Sequence, residues 1–502
     1  MKTKHTHSSL VAAQLIASVV IGCNCRAEIP LPQVSAPLPM TDESYPFGGA
    51  SHTREPSDLA AVGYVEEEYL VSGAANVYDW PNDSSTAVVR TRGARYSTRM
   101  LVRRPVARAK FSGNVVVELL NPSNLFDLNL AWAISHKQIV RDGDAWVGVT
   151  AKPVAVVTLQ AFNAARYAAL AWPNPLSLDD PRNCATVAAD SSRMTENGLV
   201  WDIHRQVAIW LRSDEASNPF RYARNSTQVK RLYAWGYSQT GGYLYTYINA
   251  FHALDVRELG KPLFDGYLVA VAAGPSPINQ CAERLAASDP RRQIRNAGVP
   301  VMHIMSQSDY LNAVPMRRAD SDAAPDLYRG YEIAGAGHAS PDELLFAAAP
   351  KDIEKGGRMV PPMSCNEGPR SRFPSSVAFN AALRNLDLWV RKGIAPPNAV
   401  PITVVEGKPV LDEFGNVQGG VRSPYVDVPT STWNGNSTGP SFCRIAGHEK
   451  PLPKETLLRL YPTHAEYVAA VKQNVARLVR ARFIVKEDGA GLLDESKVAP
   501  VP

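Results

Sequence analysis

The sequence predicts an α/β fold in which a mostly parallel central sheet is flanked by helices. From residue 113 onward, short apolar runs such as NVVVELL (114–120) and AWVGVTA (145–151) are typical of strands buried on both faces. Between such runs lie amphipathic stretches, for example LVWDIHRQVAIWL (199–211), whose apolar residues share one helical face. Strands that alternate with helices favour parallel pairing, which brings the carboxyl ends of the strands to one edge of the sheet.

The remaining elements extend this pattern along the chain. A stretch with the alternation of an antiparallel strand, YSTRMLVRRPV (96–106), precedes the parallel region. Later buried strands are predicted in RLYAWG (231–236), YLVAVAAG (267–274), VPVMHIMS (299–306) and LYRGYEIAG (327–335). An amphipathic helix is predicted over 375–393, ending at Lys392-Gly393, because glycine is favoured just after a helix.

Two regions depart from the alternation and define the predicted domain organisation. Residues 152–196 form a long excursion between a strand and a helix, and an excursion of this length predicts a lid over the site. After residue 400, Thr463 and Glu466 have the spacing of a capping box at the start of an amphipathic helix. We therefore predict a main domain over 28–400 with the lid inserted, and a C-terminal extension over 401–502 packed on it.

The first 27 residues have the pattern of an export signal. A short basic region precedes the apolar run LVAAQLIASVVIG (10–22), which is too short to span a membrane comfortably. Cleavage after Ala27 predicts a periplasmic or secreted protein, while VIGC also resembles a lipoprotein signal with a lipid anchor at Cys23. These two alternatives stay open. No later run is long and apolar enough to predict a membrane span.

Charge and cysteine content limit the class of partner. Removing residues 1–27 takes away three basic residues and no acidic one, so the formal net charge falls from +5 to +2. A nearly neutral chain without a basic stripe excludes nucleic acid as the expected partner. Four cysteines remain, which allow three disulfide connectivities in an exported protein; we favour Cys184–Cys281 with Cys365–Cys443.

The stretch RLYAWGYSQTGGYLYTYINAFH (231–252) places Ser238 between a predicted strand and a predicted helix. A tight turn of this kind exposes a nucleophilic serine above the sheet edge, and small neighbours are required because the two backbones nearly touch. Gly236 meets this requirement before the serine. Thr240 stands where the G-x-S-x-G pattern has glycine, so the spacing alone leaves a catalytic serine and an ordinary turn serine equally open.

An acid and a histidine on later loops favour the catalytic interpretation. A serine hydroxyl needs a base to accept its proton, and in this fold the acid and then the histidine follow along the chain. Asp309 follows the strand at 299–306, and His338 lies in the glycine-rich AGAGHAS after the last strand. Asp265 precedes its strand and is expected at the wrong edge, while His303 lies mid-strand and is expected in the core.

The predicted oxyanion donors are backbone N–H groups. One belongs to Gln239, the residue after the nucleophile. The other is expected from the loop LLNPSN (119–124), where Pro122 has no N–H; Asn121 is favoured over Leu120 and Ser123. No metal or organic cofactor is required by this set of residues.

The stretches VVVELLNPS, AWVGVTAKP, GYSQTGGYLYTYINAFH, SQSDYL, AGAGHAS and GGVRSPYVDVP together resemble the α/β-hydrolase superfamily. Within it, the likeness is to a bacterial family of exported α/β-hydrolase-domain proteins, which carries GxSQS at the nucleophile. The resemblance runs from about residue 113 to about residue 430. It implies an α/β-hydrolase fold and serine-esterase chemistry, and it implies no particular substrate.

The sequence therefore predicts an exported serine hydrolase that cleaves a carboxylic ester, or a lactone, of a small molecule through an acyl-enzyme. Ser238 is the expected nucleophile, His338 the base and Asp309 the residue that orients it. Two alternatives remain: an acyltransferase or a peptidase or amidase with the same residues, and a non-catalytic binding protein that kept the fold.

Overall fold

The computed structural model describes Met1, residues 29–184 and residues 191–501. The predicted export signal and the predicted processing site at Cys23 lie outside the described residues, apart from Met1. Within the described ranges, no helix combines the length and the apolar character needed to cross a membrane.

The strands follow the apolar and alternating runs of the sequence. They are β1 Gln33–Val34, β2 Tyr64–Asp79, β3 Val88–Pro105, β4 Asn114–Leu120, β5 Ala145–Thr150, β6 Arg221–Ala223, β7 Ser226–Thr227, β8 Arg231–Tyr237, β9 Gly266–Ala270, β10 Val301–Ser306, β11 Tyr328–Ile333, β12 Ser364–Cys365, β13 Gly368–Pro369, β14 Val404–Val405, β15 Lys408–Pro409, β16 Ser431–Asn434 and β17 His448–Pro451.

Helices connect most of these strands and form the C-terminal part of the chain. They are α1 Leu130–Asp142, α2 Pro153–Phe162, α3 Ala164–Tyr167, α4 Val200–Leu211, α5 Gln239–Thr246, α6 His252–Leu259, α7 Tyr310–Ala313, α8 Asp342–Leu345, α9 Pro350–Lys355, α10 Ser375–Lys392, α11 Pro424–Asp427, α12 Lys454–Leu460, α13 His464–Arg480 and α14 Lys486–Lys497.

One nine-stranded sheet organises the molecule, in the order β1-β2-β3-β5-β4-β8-β9-β10-β11. The first three strands pair antiparallel, and β3 is antiparallel to β5, whereas every pair from β5 to β11 is parallel. Every residue of β4 and β5 is buried, as expected for parallel strands covered on both faces. The predicted fold class, a mostly parallel sheet flanked by helices in an α/β-hydrolase arrangement, is confirmed.

The predicted elements agree with the structure except in their ends. The apolar run at 267–274 predicts a strand throughout, but β9 ends at Ala270 because Val271 adopts a positive φ of 46° and turns the chain away. Helix α10 ends at Gly393 in the left-handed conformation, and α13 begins with the predicted capping box of Thr463 and Glu466.

Two disulfides join segments that are distant in sequence. Cys184–Cys281 ties the 152–196 excursion to the loop after β9, with a Cα–Cα distance of 5.5 Å. Cys365–Cys443 ties the β12–β13 hairpin to the chain after residue 400, with a Cα–Cα distance of 5.6 Å. The favoured pairing is the one present, and disulfides are typical of an oxidising compartment.

The C-terminal helices lie against the main sheet domain. Leu478 of α13 and Leu492 of α14 share a hydrophobic cluster with Val377 of α10, and Arg141 of α1 forms an ion pair with Asp488 at 2.7 Å. Division of the chain at residue 400, with a lid over 152–196, remains a prediction about domain organisation.

Candidate active site

Ser238 lies in a strained turn between β8 and α5. Its backbone angles are φ 56° and ψ −115°, a combination that is sparsely populated for a residue with a side chain. The Ser238 N–H donates to the carbonyl of Ala270 at 2.9 Å, which fixes the turn to the end of β9. Such strain, held by surrounding contacts, is the expected geometry of a serine raised above the sheet edge.

Close backbone contacts around this turn require glycine. A Cβ on Gly236 would lie 2.2 Å from the carbonyl oxygen of Thr240, and a Cβ on Gly241 would lie 2.6 Å from that of Ala270. One on Gly242 would lie 2.6 Å from the hydroxyl of Ser276. The two glycines after Thr240 therefore serve the packing of α5 against β9 and the loop that follows it.

The Thr240 hydroxyl closes the turn by bonding to the strand before it. Its Oγ1 accepts from the Tyr237 N–H at 3.1 Å and donates to the Tyr237 carbonyl at 3.1 Å. Thr240 is fully buried. Thr240, which stands where the G-x-S-x-G pattern has glycine, thus stabilises the turn through two hydrogen bonds that a glycine could not make.

Replacing Thr240 with valine is expected to destabilise the protein by about 1–3 kcal/mol, because the buried Tyr237 N–H loses its bond to the Thr240 hydroxyl while the side-chain shape is kept. The Tyr237 carbonyl keeps the Asn121 side chain as a donor. Urea unfolding measures this difference. Thr240→Ser keeps the hydroxyl and is the matched control, with a smaller expected loss. Equal stability of Thr240→Val and the parent protein would contradict a structural role for these two bonds.

The structure brings Ser238, His338 and Asp309 together at the carboxyl edge of the sheet. The Nε2 atom of His338 lies 2.8 Å from Ser238 Oγ. The Nδ1 atom lies 2.9 Å and 3.1 Å from the two carboxylate oxygens of Asp309. Ser238 and His338 are partly exposed, whereas Asp309 is buried. The chain order and loop positions match those expected from the sequence.

Further hydrogen bonds hold the acid and the histidine in place. Ser306 Oγ donates to Asp309 Oδ2 at 2.6 Å. The Tyr237 hydroxyl donates to the backbone carbonyl of His338 at 2.5 Å, and the His338 N–H donates to Ser308 Oγ at 3.0 Å. Each of these partners lies on a strand end or on the loop next to it, so the position of His338 depends on several elements at once.

The chain after residue 430 also contacts the His338 loop. The N–H of Ala339 donates to the carbonyl of Ile445 at 2.9 Å, and the Ser308 hydroxyl donates to the carbonyls of Gly435 and Ile445. A Cβ on Gly337 would lie 2.5 Å from the carbonyl oxygen of Ala446. The C-terminal part of the chain is therefore part of the framework that fixes the histidine.

Electrostatics at His338 favour the protonated imidazole. Burial lowers the pKa of His338, but the charge of Asp309, its hydrogen bond and the charge of Glu343 outweigh burial, so the pKa is raised above its usual value of 6.5. Burial in turn raises the pKa of Glu343 to about 7, against the opposing charges of Arg370 and His338. His338 therefore lies near two carboxyl groups, Asp309 in hydrogen-bond contact and Glu343 beyond it.

The predicted oxyanion donors differ in their availability. Gln239 is the first residue of α5, where an N–H has no acceptor within the helix. The Asn121 N–H, in contrast, donates to the carbonyl of Leu128 at 2.8 Å and is not free in this structure. Asn121 instead links the loop to the turn: its side chain donates to the Tyr237 carbonyl at 2.7 Å and accepts from the Ser123 N–H at 2.8 Å.

Two cavities meet at Ser238 and His338. A large cleft of about 1180 Å³ is also lined by Gln239 and by much of the loop after β9, together with Lys152 and Cys184 of the 152–196 excursion. A small cavity of about 30 Å³ lies toward the 121–124 loop and is lined by Arg370 and Phe442 as well. Ser238 and His338 therefore line two separate spaces.

Two other residues considered in the sequence lie away from Ser238, His338 and Asp309. His303 is buried in β10 and bonds to the Tyr328 hydroxyl and the Ala272 carbonyl. Asp265 pairs with Arg212 at 2.6 Å and accepts from the Leu232 N–H, at the opposite end of the strands. Sequence reasoning missed Glu343 and Arg370 as neighbours of the site, because α8 and the chain after β13, where they lie, carry no recognisable motif.

Comparison with known proteins places the chain in a family. Residues 34–494 match the alpha/beta hydrolase domain family, and the chain belongs to it, which confirms the resemblance found in the sequence. No curated protein is detectably similar to the chain in sequence.

Structural similarity to solved proteins is weak. A putative dienelactone hydrolase from Klebsiella pneumoniae subsp. pneumoniae MGH 78578 is 12% identical with a TM-score of 0.29, over 57% of this chain and 95% of that one. An esterase structure from Rhizomucor miehei is 11% identical with a TM-score of 0.29, over 60% of this chain and 88% of that one. An α/β serine hydrolase without a lid from Xanthomonas campestris is 13% identical with a TM-score of 0.25, over 57% and 90% of the two chains.

Proposed function

We propose that this protein is an exported serine hydrolase that cleaves carboxylic esters of small molecules, lactones included, through an acyl-enzyme. The observation that carries the proposal is the chain of contacts from Ser238 Oγ to His338 Nε2 at 2.8 Å and from His338 Nδ1 to Asp309 at 2.9 Å. The strained backbone at Ser238 and membership of the family support it.

In this mechanism, His338 accepts the proton of the Ser238 hydroxyl as the oxygen attacks the ester carbonyl. The carbonyl electrons move to the oxygen, and collapse of the tetrahedral intermediate breaks the bond to the alcohol oxygen, which takes the proton from His338. Water then attacks the acyl-enzyme with His338 again as base, and the acid and free Ser238 are released. Asp309 keeps the imidazole oriented and stabilises its cation.

The developing oxyanion needs at least two donors. The Gln239 N–H is one of them in this proposal. The Asn121 N–H is engaged by Leu128 and the Ser123 N–H by the Asn121 side chain, so the second donor is assigned to the Ser123 hydroxyl. Ser123 lines the small cavity, and its hydroxyl would exchange a 3.3 Å contact with the Gln239 side-chain oxygen for the oxyanion. Asn121 then acts by holding Ser123 and Tyr237 in position.

A rapid-mixing experiment with p-nitrophenyl esters tests the proposed chemistry. A burst of p-nitrophenol close to one equivalent, followed by slower turnover, is expected if acylation outpaces hydrolysis of the acyl-enzyme. Matched anilides test the amidase alternative, and added alcohols test acyl transfer. A chain that hydrolyses neither esters nor anilides and transfers no acyl group would leave only the non-catalytic alternative.

The pH dependence of kcat/KM is expected to have its acidic limb above pH 6.5. His338 must be neutral to accept a proton, and since its pKa is raised above 6.5, activity is lost as the pH falls through that raised value. A profile over pH 5–9 measures the midpoint. Glu343→Gln is expected to move the limb to lower pH, because the Glu343 charge raises the His338 pKa. A wild-type limb at or below pH 6.5 would contradict this account.

Export belongs to the same proposal. The two disulfides and the apolar N-terminal run support a periplasmic or secreted protein, with a lipid anchor at Cys23 as the alternative to free release. Mass analysis of the mature N-terminus distinguishes a chain that begins after Ala27 from one that begins at a lipidated Cys23.

A further inference from the structure

Arg370 is a buried cation beside the proposed nucleophile whose hydrogen-bonding groups are largely unused. Only 4% of the residue is exposed, and its side chain lines the same small cavity as Ser238 and His338. Two of its nitrogens, Nε and Nη2, are buried and have no hydrogen-bond partner among the described residues. An arginine carries five N–H donors, and burying them without hydrogen-bond acceptors is energetically costly.

Glu343, a charged neighbour of Arg370, compensates it incompletely. Its Nη1 atom lies 4.0 Å from Oε1 of Glu343, beyond hydrogen-bond distance, and that oxygen is itself buried without a partner among the described residues. Burial raises the pKa of Glu343 to about 7, so near neutral pH this carboxyl group carries its charge for only part of the time. Burial also lowers the pKa of Arg370, but a guanidinium stays protonated in proteins.

The backbone around Arg370 is held by independent contacts. The Arg370 N–H donates to Met363 and the Ser371 N–H donates to Gly447, each at 3.0 Å. The nearby Cys365–Cys443 disulfide joins the same two segments, and Phe442, next to Cys443, also lines the cavity. Because these contacts fix the backbone at Arg370, the buried cation is already in place before a ligand enters, and this lowers the entropy cost of binding.

We propose that the small cavity is a carboxylate subsite, and that the substrate carries a carboxylate close to its scissile ester, recognised by Arg370. Planar guanidinium and carboxylate groups form two parallel charge-assisted hydrogen bonds. The cavity volume of about 30 Å³ admits two or three water-sized groups, by the measure in which about 10–15 Å³ admits one. A carboxylate has that size, and a long acyl chain does not fit.

This subsite rests on the proposed hydrolase function, because it places the carboxylate relative to a bond attacked by Ser238. The remainder of the substrate would lie in the cleft of about 1180 Å³ on the other side of Ser238. The expected substrate is therefore an acidic ester or lactone in which one or two carbons separate the carboxylate from the ester group.

Two pairs of isosteric esters test the subsite and show which side of the ester enters it. Monoethyl succinate is compared with ethyl 4-methylpentanoate for a carboxylate on the acyl side, and acetoxyacetate with isobutyl acetate for the alcohol side. In each pair a carboxylate replaces an isopropyl group. We expect kcat/KM at pH 8 to favour the anionic member of one pair by about tenfold to 100-fold, the range of a hydrogen bond to a charged group.

Arg370→Gln is expected to reduce that preference by the same factor, with Arg370→Lys intermediate because it keeps the charge and loses the bidentate geometry. Glu343→Gln is expected to increase the preference for the anionic ester several-fold, since a competing anion is removed.

Two results would overturn the proposal. If Arg370 only forms a structural pair with Glu343, both Arg370→Gln and Glu343→Gln lower the melting temperature and neither changes the preference. Preference for the neutral ester in both pairs overturns it as well.

Calorimetric titration of the Ser238→Ala protein with monoethyl succinate and with acetoxyacetate separates this proposal from the proposed function. Binding of one anion that is lost in Ser238→Ala/Arg370→Gln supports the subsite even if the wild-type chain hydrolyses nothing. Hydrolysis of the neutral esters without anion binding or anion preference supports the hydrolase and rejects the subsite.

Discussion

Ser238→Ala is expected to lower kcat for p-nitrophenyl ester hydrolysis by about 10⁶-fold, the scale on which loss of a nucleophile acts in serine hydrolases with this chemistry. The reason is that no other described hydroxyl occupies the position 2.8 Å from His338 Nε2. A small rate above that in water is expected to remain, because the oxyanion donors and the binding cleft are retained.

The fold is expected to survive this substitution. Alanine meets the same strained backbone at φ 56° as serine does, and the Ser238 N–H still reaches the Ala270 carbonyl. The melting temperature should therefore stay within a few degrees of the parent protein. A fully folded Ser238→Ala protein with wild-type esterase activity would remove Ser238 from the mechanism.

Asp309→Asn is expected to lower kcat by about 10⁴-fold while keeping the side-chain shape. An asparagine beside His338 Nδ1 has no negative charge to stabilise the imidazolium, and its amide can favour the wrong tautomer. The pKa of His338 should fall as well, because Asp309 raises it through both charge and hydrogen bond. The residual activity is therefore expected to have its acidic limb at lower pH than in the parent protein.

Asp265→Asn is the matched control for the acid. Asp265 bonds to Arg212 and to the Leu232 N–H at the other end of the strands, so its loss should affect stability, with kcat within a few-fold of the parent value. Unfolding by urea and ester kinetics on the same preparations separate the two effects. Equal losses of kcat in both variants would show that the effect of Asp309→Asn comes from misfolding.

The fold and the three proposed catalytic residues follow from sequence because each depends on a local pattern. Strands buried on both faces are continuous apolar runs, and the turn at Ser238 needs small residues at fixed spacing. Parallel pairing then places Asp309 and His338 at the same edge without further information. The end of β9 at Ala270 was not predicted, because the positive φ of Val271 is set by tertiary contacts and has no signal in an apolar run.

The surroundings of the site could not be predicted for a different reason. Arg370 and Glu343 meet only because the β12–β13 hairpin, the chain near Cys443 and α8 converge, and nothing in their sequence spacing indicates that contact. The hydrogen bond from the Asn121 N–H to the Leu128 carbonyl likewise depends on how the loop folds back, which the sequence does not indicate. The hydrogen bonds of the Thr240 hydroxyl were predictable in principle, because a threonine at a position that usually holds glycine places a hydroxyl next to the backbone of the turn.

Labelling with a fluorophosphonate, followed by peptide mass mapping, tests the central proposal that Ser238 is a nucleophile activated by His338. The account predicts stoichiometric modification of the peptide that contains Ser238, in parallel with loss of esterase activity, and slower labelling as the pH falls below the raised pKa of His338. Complete loss of activity with the label on another residue, or full labelling that leaves hydrolysis intact, would contradict it.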